Sequence, residues 1–278
     1  MFLKRPILFL LWSLLALPAA AQGFDHAHGA WNALLKKHVV LIDGGKASKV
    51  RYAGLAQDRA ALKSYLDTLS RVSMQEFAGW TKPQQMAFLI NAYNAFTVEK
   101  ILSRHPNIKS IWDFGKVFGN PFRDRFFRLL DRDFSLDMIE HDTLRKPGAY
   151  DEPRVHFAVN CASVGCPMLR EEAYVAARLE VQLEEQTRRF LADRSRNRYN
   201  PQSNALEVSE IFRWFSEDWT SGYRGFDGKG EAMQSLAQFF AKYADLLADA
   251  PAQRQLITAG KAVIRHLDYD WTLNDARP

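Results

Sequence analysis

The stretch from Pro83 to Leu102 carries apolar side chains around the whole circumference of a helix: Met86, Phe88, Leu89, Ile90, Tyr93, Phe96, Val98 and Ile101. A helix that is hydrophobic on every side must be enclosed on every side, so the rest of the chain has to wrap around it. Thr81-Lys82-Pro83 supplies the start, with proline accepted in the first turn. A length of 278 residues, 47% hydrophobic, with 19 Phe, 9 Tyr and 7 Trp, provides the material for that enclosure. The same composition excludes disordered, collagenous and disulfide-scaffold classes.

Around this helix the sequence predicts further elements. Trp31, Leu34, Leu35, His38 and Val39 recur at helical spacing, and Leu62, Tyr65, Leu66 and Leu69 form one stripe of a helix over Asp58–Leu69. Arg125–Leu136 reads as a short hairpin, followed by a helix over Leu136–Leu144 that Pro147-Gly148 stops. Val155–Val159 reads as a strand running into Asn160-Cys161, and Glu171–Ala192 as a long charged helix. Leu206–Val208 reads as a strand, with Ser209 capping a helix over Glu210–Phe215. Ala232–Leu247 is amphipathic, and Lys261–Leu273 alternates as a terminal strand with Leu267, Tyr269 and Trp271 on one face. No repeat or low-complexity linker interrupts the pattern. The expected fold class is α+β, a mostly helical single domain around a small antiparallel sheet.

Residues 1–21 have the three parts of a secretory signal: Lys4 and Arg5, the apolar run Ile7–Leu17, then Pro18 and a tract of three alanines. That run is too short to span a bilayer, which takes about 20 residues. The expectation is an exported protein, periplasmic or secreted, whose residues 22–278 form the globular domain, with no stable membrane insertion after cleavage. The formal net charge is +5; without Lys4 and Arg5, basic residues exceed acidic ones by only three. That excess is small and scattered, which argues against a nucleic-acid partner. A small molecule or a peptide is the expected ligand.

Three constellations carry chemistry. Asn91 and Asn94 lie three apart on the buried helix, so both carboxamides leave one face. They serve either as a structural network or as orienter or oxyanion donor. Glu140-His141 offers a histidine and a carboxylate, although helix neighbours point about 100° apart. His156-Phe-Ala-Val-Asn160-Cys161-Ala-Ser163-Val-Gly165-Cys166-Pro167 delivers a cysteine to a small-residue turn, where free backbone N–H groups would favour a thiolate. Strand alternation would put His156 and Cys161 on opposite sides, so His141 is as good a partner for the thiol. In an oxidising compartment Cys161 and Cys166 are alternatively a disulfide. With His141 and His156 they also make a conceivable tetrahedral metal set, though their spacing is weak evidence for zinc. The chain has no P-loop, dinucleotide fingerprint, zincin or esterase-elbow motif, and its motifs point to no cofactor.

Six ordered motifs, Ala87-Phe-Leu-Ile-Asn-Ala-Tyr-Asn94, Leu136-Asp-Met-Ile-Glu-His141, Arg154-Val-His-Phe-Ala-Val-Asn-Cys-Ala-Ser163, Cys166-Pro167, Ser209-Glu-Ile-Phe-Arg-Trp214 and Tyr269-Asp-Trp-Thr-Leu-Asn274, resemble the DUF547 family, a domain of unknown function. The resemblance runs through nearly the whole of residues 22–278. Members of the plant type often lack a counterpart of Cys166, which implies that Cys161 is the site and Cys166 optional. The family brings no catalytic assignment with it.

These readings converge on a cysteine-centred hydrolase or acyl transferase acting on amide or thioester bonds, of papain-like or transglutaminase-like chemistry. Cys161 is the nucleophile, His141 or His156 the base, and Asn91, Asn94 or Glu140 the orienter or oxyanion donor. Histidine before cysteine reverses the order in papain, so a permuted or unrelated arrangement is required. The rival is a non-catalytic envelope binding protein in which Cys161–Cys166 is a disulfide beside a polar pocket.

Overall fold

A computed structural model describes residues 23–115, 119–220 and 232–276. The predicted secretory segment lies outside the described residues. The central helix forms over Lys82–Leu102, and every residue from Met86 to Val98 is buried. Thr81 and Gln84 close a reciprocal capping box at its start, satisfying amide groups that a helix leaves open at its N-terminus. Helix Arg59–Arg71 packs beside it and helix Gly29–His38 packs on Arg59–Arg71, burying the predicted stripes, Leu62, Tyr65, Leu66 and Leu69 on the first and Trp31, Leu34, Leu35 and His38 on the second.

Two apolar clusters build the interior. The larger surrounds the central helix, and the second gathers Phe157, Phe190, Phe212, Trp219 and Phe239. The segment Val155–Phe157 passes from one cluster to the other, Val155 belonging to the first and Phe157 to the second.

The α+β class holds, but the sheet is divided into three small ones. Val39–Ile42 pairs antiparallel with Ala47–Val50, and Phe127–Leu129 with Arg132–Phe134. This second pair is the predicted hairpin, turned by Leu130 and Asp131, both at positive φ (48° and 65°). In the third sheet Ala205–Ser209 lies between Arg198–Asn200, antiparallel, and Val263–Leu267, parallel. The purely antiparallel sheet of the sequence reading is corrected by this last pairing. Among the described residues no helix is long and apolar enough to cross a membrane.

Four elements differ from the sequence reading. Val155–Val159 is no strand: Pro153–Phe157 is a 3-10 turn, opened by Pro153 and capped by the Glu152 carboxylate accepting from Arg154 N–H. Every residue from Glu152 to Asn160 is buried, and a short run without a solvent face carries no period that distinguishes strand from helix. The long helix begins at Leu179, not Glu171. The amides that would start it earlier are engaged elsewhere: Ala173 N–H donates to Asn32, Tyr174 N–H to Asn91 and Val175 N–H to Gln182. Ala232–Leu247 forms two short helices, Leu236–Ala241 and Ala244–Leu247. The terminal strand stops at Leu267 because the backbone beyond it pairs with a different partner, the cysteine loop.

Candidate active site

The loop from Asn160 to Pro167 is fixed from three directions. Asn94 on the central helix grips its start, donating to Ala158 O (3.0 Å) and accepting from Asn160 N–H (2.8 Å). Asn160 folds the next turn, its Oδ1 accepting from Ala162 N–H at 3.0 Å and from Asn274 Nδ2 at 3.3 Å. Asn274 in turn accepts from the Tyr52 hydroxyl at 2.8 Å. The C-terminal strap closes the far side, with Val164 N–H donating to Thr272 O and Gly165 N–H to Asp270 O, both at 2.7 Å. Gly165 is required by this approach, since a Cβ there would lie 2.8 Å from Asp270 N.

Within the loop both cysteines are free thiols. Cys161 is half-buried and Cys166 buried. The Cys161 sulfur lies 3.0 Å from the Ser163 hydroxyl and 3.2 Å from the Tyr269 hydroxyl, and those hydroxyls are 3.0 Å apart. Burial pushes the Cys161 thiol up, but hydrogen bonds from Cys166, Ser163 and Tyr269 and from the Ser163 backbone outweigh it and hold its pKa below the ordinary thiol range. Burial and the neighbouring Cys161 push Cys166 well above that range. The two sulfurs are thus unequal, with thiolate character gathered on the more accessible one. The expected row of free amides is corrected. Cys161 N–H donates to Cys166 Sγ at 3.0 Å and Ala162 N–H to Asn160, which leaves the Ser163 amide facing the thiol.

Cys161 opens onto a cavity of about 320 Å³, whose wall also holds Glu140, His141, His156 and Cys166. Four of the six predicted site residues, Cys161, His141, His156 and Glu140, therefore meet. Asn91 and Asn94 do not line it. Asn91 clamps the Tyr174 backbone through both N–H and C=O (3.0 and 2.8 Å), as Asn94 clamps Ala158 and Asn160.

His156 reaches the cavity because the segment is a 3-10 turn, which removes the alternation that would have set it opposite Cys161. Its ring is buried, stacked on Phe215 at 4.0 Å between centroids, and its Nε2 lies 2.7 Å from Asp218 Oδ2. The other nitrogen, Nδ1, is buried without a hydrogen-bond partner, 3.7 Å from Glu140 Oε1. Asp218 also accepts from Arg145 Nε at 2.6 Å. Burial raises the Asp218 carboxyl pKa, but His156 and Arg145 overcome it and bring it down to about 2.

Glu140 and His141 both reach the cavity because the chain widens into a π-helical turn over Glu140–Leu144, where Arg145 N–H bonds back to the Glu140 carbonyl. Such turns break the regular angular spacing of an α-helix. Burial works against a charged Glu140, yet the His156 and His141 rings and the Tyr93 hydroxyl hold it ionised below the usual carboxylate range. The Nδ1 of His141 faces the Arg145 guanidinium and its Nε2 lies 3.6 Å from Asp137. A guanidinium only donates, so it occupies the lone pair that a base at Nδ1 would use.

The conceivable metal set does not assemble: the imidazole nitrogens of His141 and His156 turn to Arg145 and to carboxylates. Among the described residues no three His, Cys, Asp or Glu side chains converge to hold an ion. Asp218, Ser163 and Tyr269 were not singled out as site residues from sequence. Ser163 and Tyr269 stand inside recognised motifs, whereas an acid within the aromatic run Phe215-Ser-Glu-Asp-Trp219 is the signal that marks Asp218.

An expected effect separates the two asparagines. Replacing Asn94 with Leu leaves Ala158 O and Asn160 N–H buried without partners, a loss of about 2–4 kcal/mol, and loosens the loop that carries Cys161. Asn91→Leu loses a similar amount in urea unfolding but leaves the reactivity of Cys161 toward iodoacetamide unchanged.

The fold and its contents define an α+β protein that presents a hydrogen-bonded cysteine to an open cavity. Residues 77–191 match the model of DUF547, described as a protein of unknown function, and through that stretch the chain is similar to this family. The match spans the central helix, the cysteine loop and the helix Leu179–Ala192, while Asp218 and Tyr269 lie beyond it. No curated protein and no solved structure matches the chain.

Proposed function

We propose that the protein is a cysteine-dependent hydrolase or acyl transferase acting on amide or thioester bonds. The observation that carries this reading is the unpartnered, buried Nδ1 of His156 on the wall of the cavity that holds Cys161, with Nε2 anchored by Asp218. A carboxylate that accepts the proton on one ring nitrogen leaves the lone pair on the other, which makes Nδ1 the basic atom. Glu140 Oε1 lies 3.7 Å from that atom and stabilises the imidazolium once it forms.

The thiol proton passes to His156 Nδ1, and the Cys161 thiolate attacks the substrate carbonyl carbon, forming a C–S bond. The oxyanion receives hydrogen bonds from Tyr269 and Ser163, whose hydroxyls already converge on the sulfur. Collapse breaks the bond to the amine or thiol leaving group, which takes the proton from His156. Water, or an acceptor nucleophile, then gives its proton to His156 and adds to the acyl-enzyme. The C–S bond breaks, the acid or transferred acyl product leaves, and the thiolate returns. The motif content of residues 1–21 supports an exported site of action.

The test is acid quenching of the protein during reaction with p-nitrophenyl acetate, followed by peptide mass spectrometry. The expected result is a single acetyl group on Cys161. An unmodified Cys161, or acetylation elsewhere, contradicts the reading and favours a binding protein.

A further inference from the structure

We infer that the cavity receives the acyl part of the substrate and is built for an uncharged, apolar acyl group; this rests on the acyl-transfer reading and names its substrate class. Beside the thiol stand Tyr269, Trp271 and Trp214, packed with ring centroids 4.5 Å (Tyr269–Trp271), 4.9 Å (Trp214–Tyr269) and 5.8 Å (Trp214–Trp271) apart. Trp112 continues the wall, 5.3 Å from Trp271. Trp112 and Trp214 are exposed, at 39% and 41%, so indole surface faces the opening rather than the core.

Among the described residues no Lys or Arg lines the cavity, and Asp137 and Glu140 do. A carboxylate, phosphate or sulfate on the acyl group would therefore enter beside two carboxylates with no lining ammonium or guanidinium among the described residues to meet it. Several polar side chains of the wall other than His156 are also held by protein partners. Asn120 accepts from Phe122 N–H at 2.9 Å, His141 faces Arg145, and Glu140 lies against the His156 and Tyr93 side chains. A glycan needs several convergent donors and acceptors, and these are engaged; what the wall offers a ligand is aromatic and aliphatic surface. The cavity volume of about 320 Å³ lies at the lower end of the range of small-molecule sites, roughly 300–1,000 Å³, in keeping with a medium-chain or aryl acyl group.

The experiment measures kcat/KM for p-nitrophenyl acetate, butyrate, hexanoate and octanoate on the full protein and on Trp214→Ala. It also titrates acetamide, hexanamide and N-acetylglucosamine into Cys161→Ala, followed by tryptophan fluorescence. Burial of each methylene is worth about fourfold, so hexanoate should exceed acetate by at least about tenfold, and Trp214→Ala should reduce that ratio several-fold. Hexanamide should bind more tightly than acetamide or the sugar. An acyl-enzyme on Cys161 with a flat or falling chain-length profile overturns the inference and leaves the acyl-transfer reading standing. Chain-length-dependent amide binding without any acyl-enzyme keeps the apolar site and removes the chemistry. Tighter binding of the sugar, or no binding and no acyl-enzyme, overturns the inference.

Discussion

Replacing Cys161 with alanine is expected to lower acyl transfer by at least about a thousandfold, because the bond-forming atom itself is removed. Stability should change little, by about 1 kcal/mol or less. The side chain is half-buried, and its neighbours Ser163 and Tyr269 keep their mutual hydrogen bond of 3.0 Å. The same change at Cys166 should behave in the opposite way. Cys166 is buried and its sulfur accepts the Cys161 N–H, so its loss leaves an unsatisfied buried amide costing about 1–3 kcal/mol while a nucleophile remains. Thermal melts and kcat/KM on p-nitrophenyl esters, measured for both variants, separate the roles. Equal loss of activity and of melting temperature in the two would mean that the cysteines act as one structural unit.

Asp218→Asn should lower kcat by about 10²–10⁴-fold, the range over which a positioned base acts, with KM nearly unchanged. Asp218 does not line the cavity; it is a positioning residue that acts through His156. An amide in its place presents a donor or a neutral acceptor to Nε2 and removes the charge that faces Arg145. The ring then loses the preference that leaves Nδ1 basic. A merely structural contribution would lower the fraction folded without altering the pH profile, whereas loss of positioning moves the acidic limb of kcat, where His156 must be unprotonated to act as base. The carboxyl is depressed to about 2 in the folded protein, so it remains ionised across any practical assay. Its ion pairs stabilise the fold fully above the unfolded-state pKa near 4, and that contribution disappears as the pH falls from about 4 through about 2. Acid unfolding of Asp218→Asn should lack this component.

Helices with a strong period were legible in the sequence. The stripes of Gly29–His38 and Arg59–Arg71 and the uniformly apolar Lys82–Leu102 each announce how many faces they bury. Segments whose conformation is set by distant side chains were not. The delayed start of the helix at Leu179 depends on Asn32, Asn91 and Gln182 taking its would-be amides, and the turn at Pro153–Phe157 depends on burial from both sides. The site follows the same division. Cys161, Glu140, His141 and His156 were recognisable as reactive types in ordered motifs, and they share one cavity. The asparagines were recognisable as buried amides needing partners, and their partners turned out to be backbone. Asp218 and Tyr269 reach the site only through tertiary packing, 62 residues after His156 and 108 after Cys161, a distance over which residue type alone gives no pairing.

The most direct test of the central claim is the pH dependence of iodoacetamide labelling of the unreduced protein from pH 5 to 9, read by peptide mass spectrometry. An activated thiol at Cys161 predicts labelling of that residue alone, with a midpoint clearly below the ordinary thiol pKa of about 8.5, and no reaction at Cys166. Labelling of both cysteines together at alkaline pH, or of neither until a reductant is added, would contradict it.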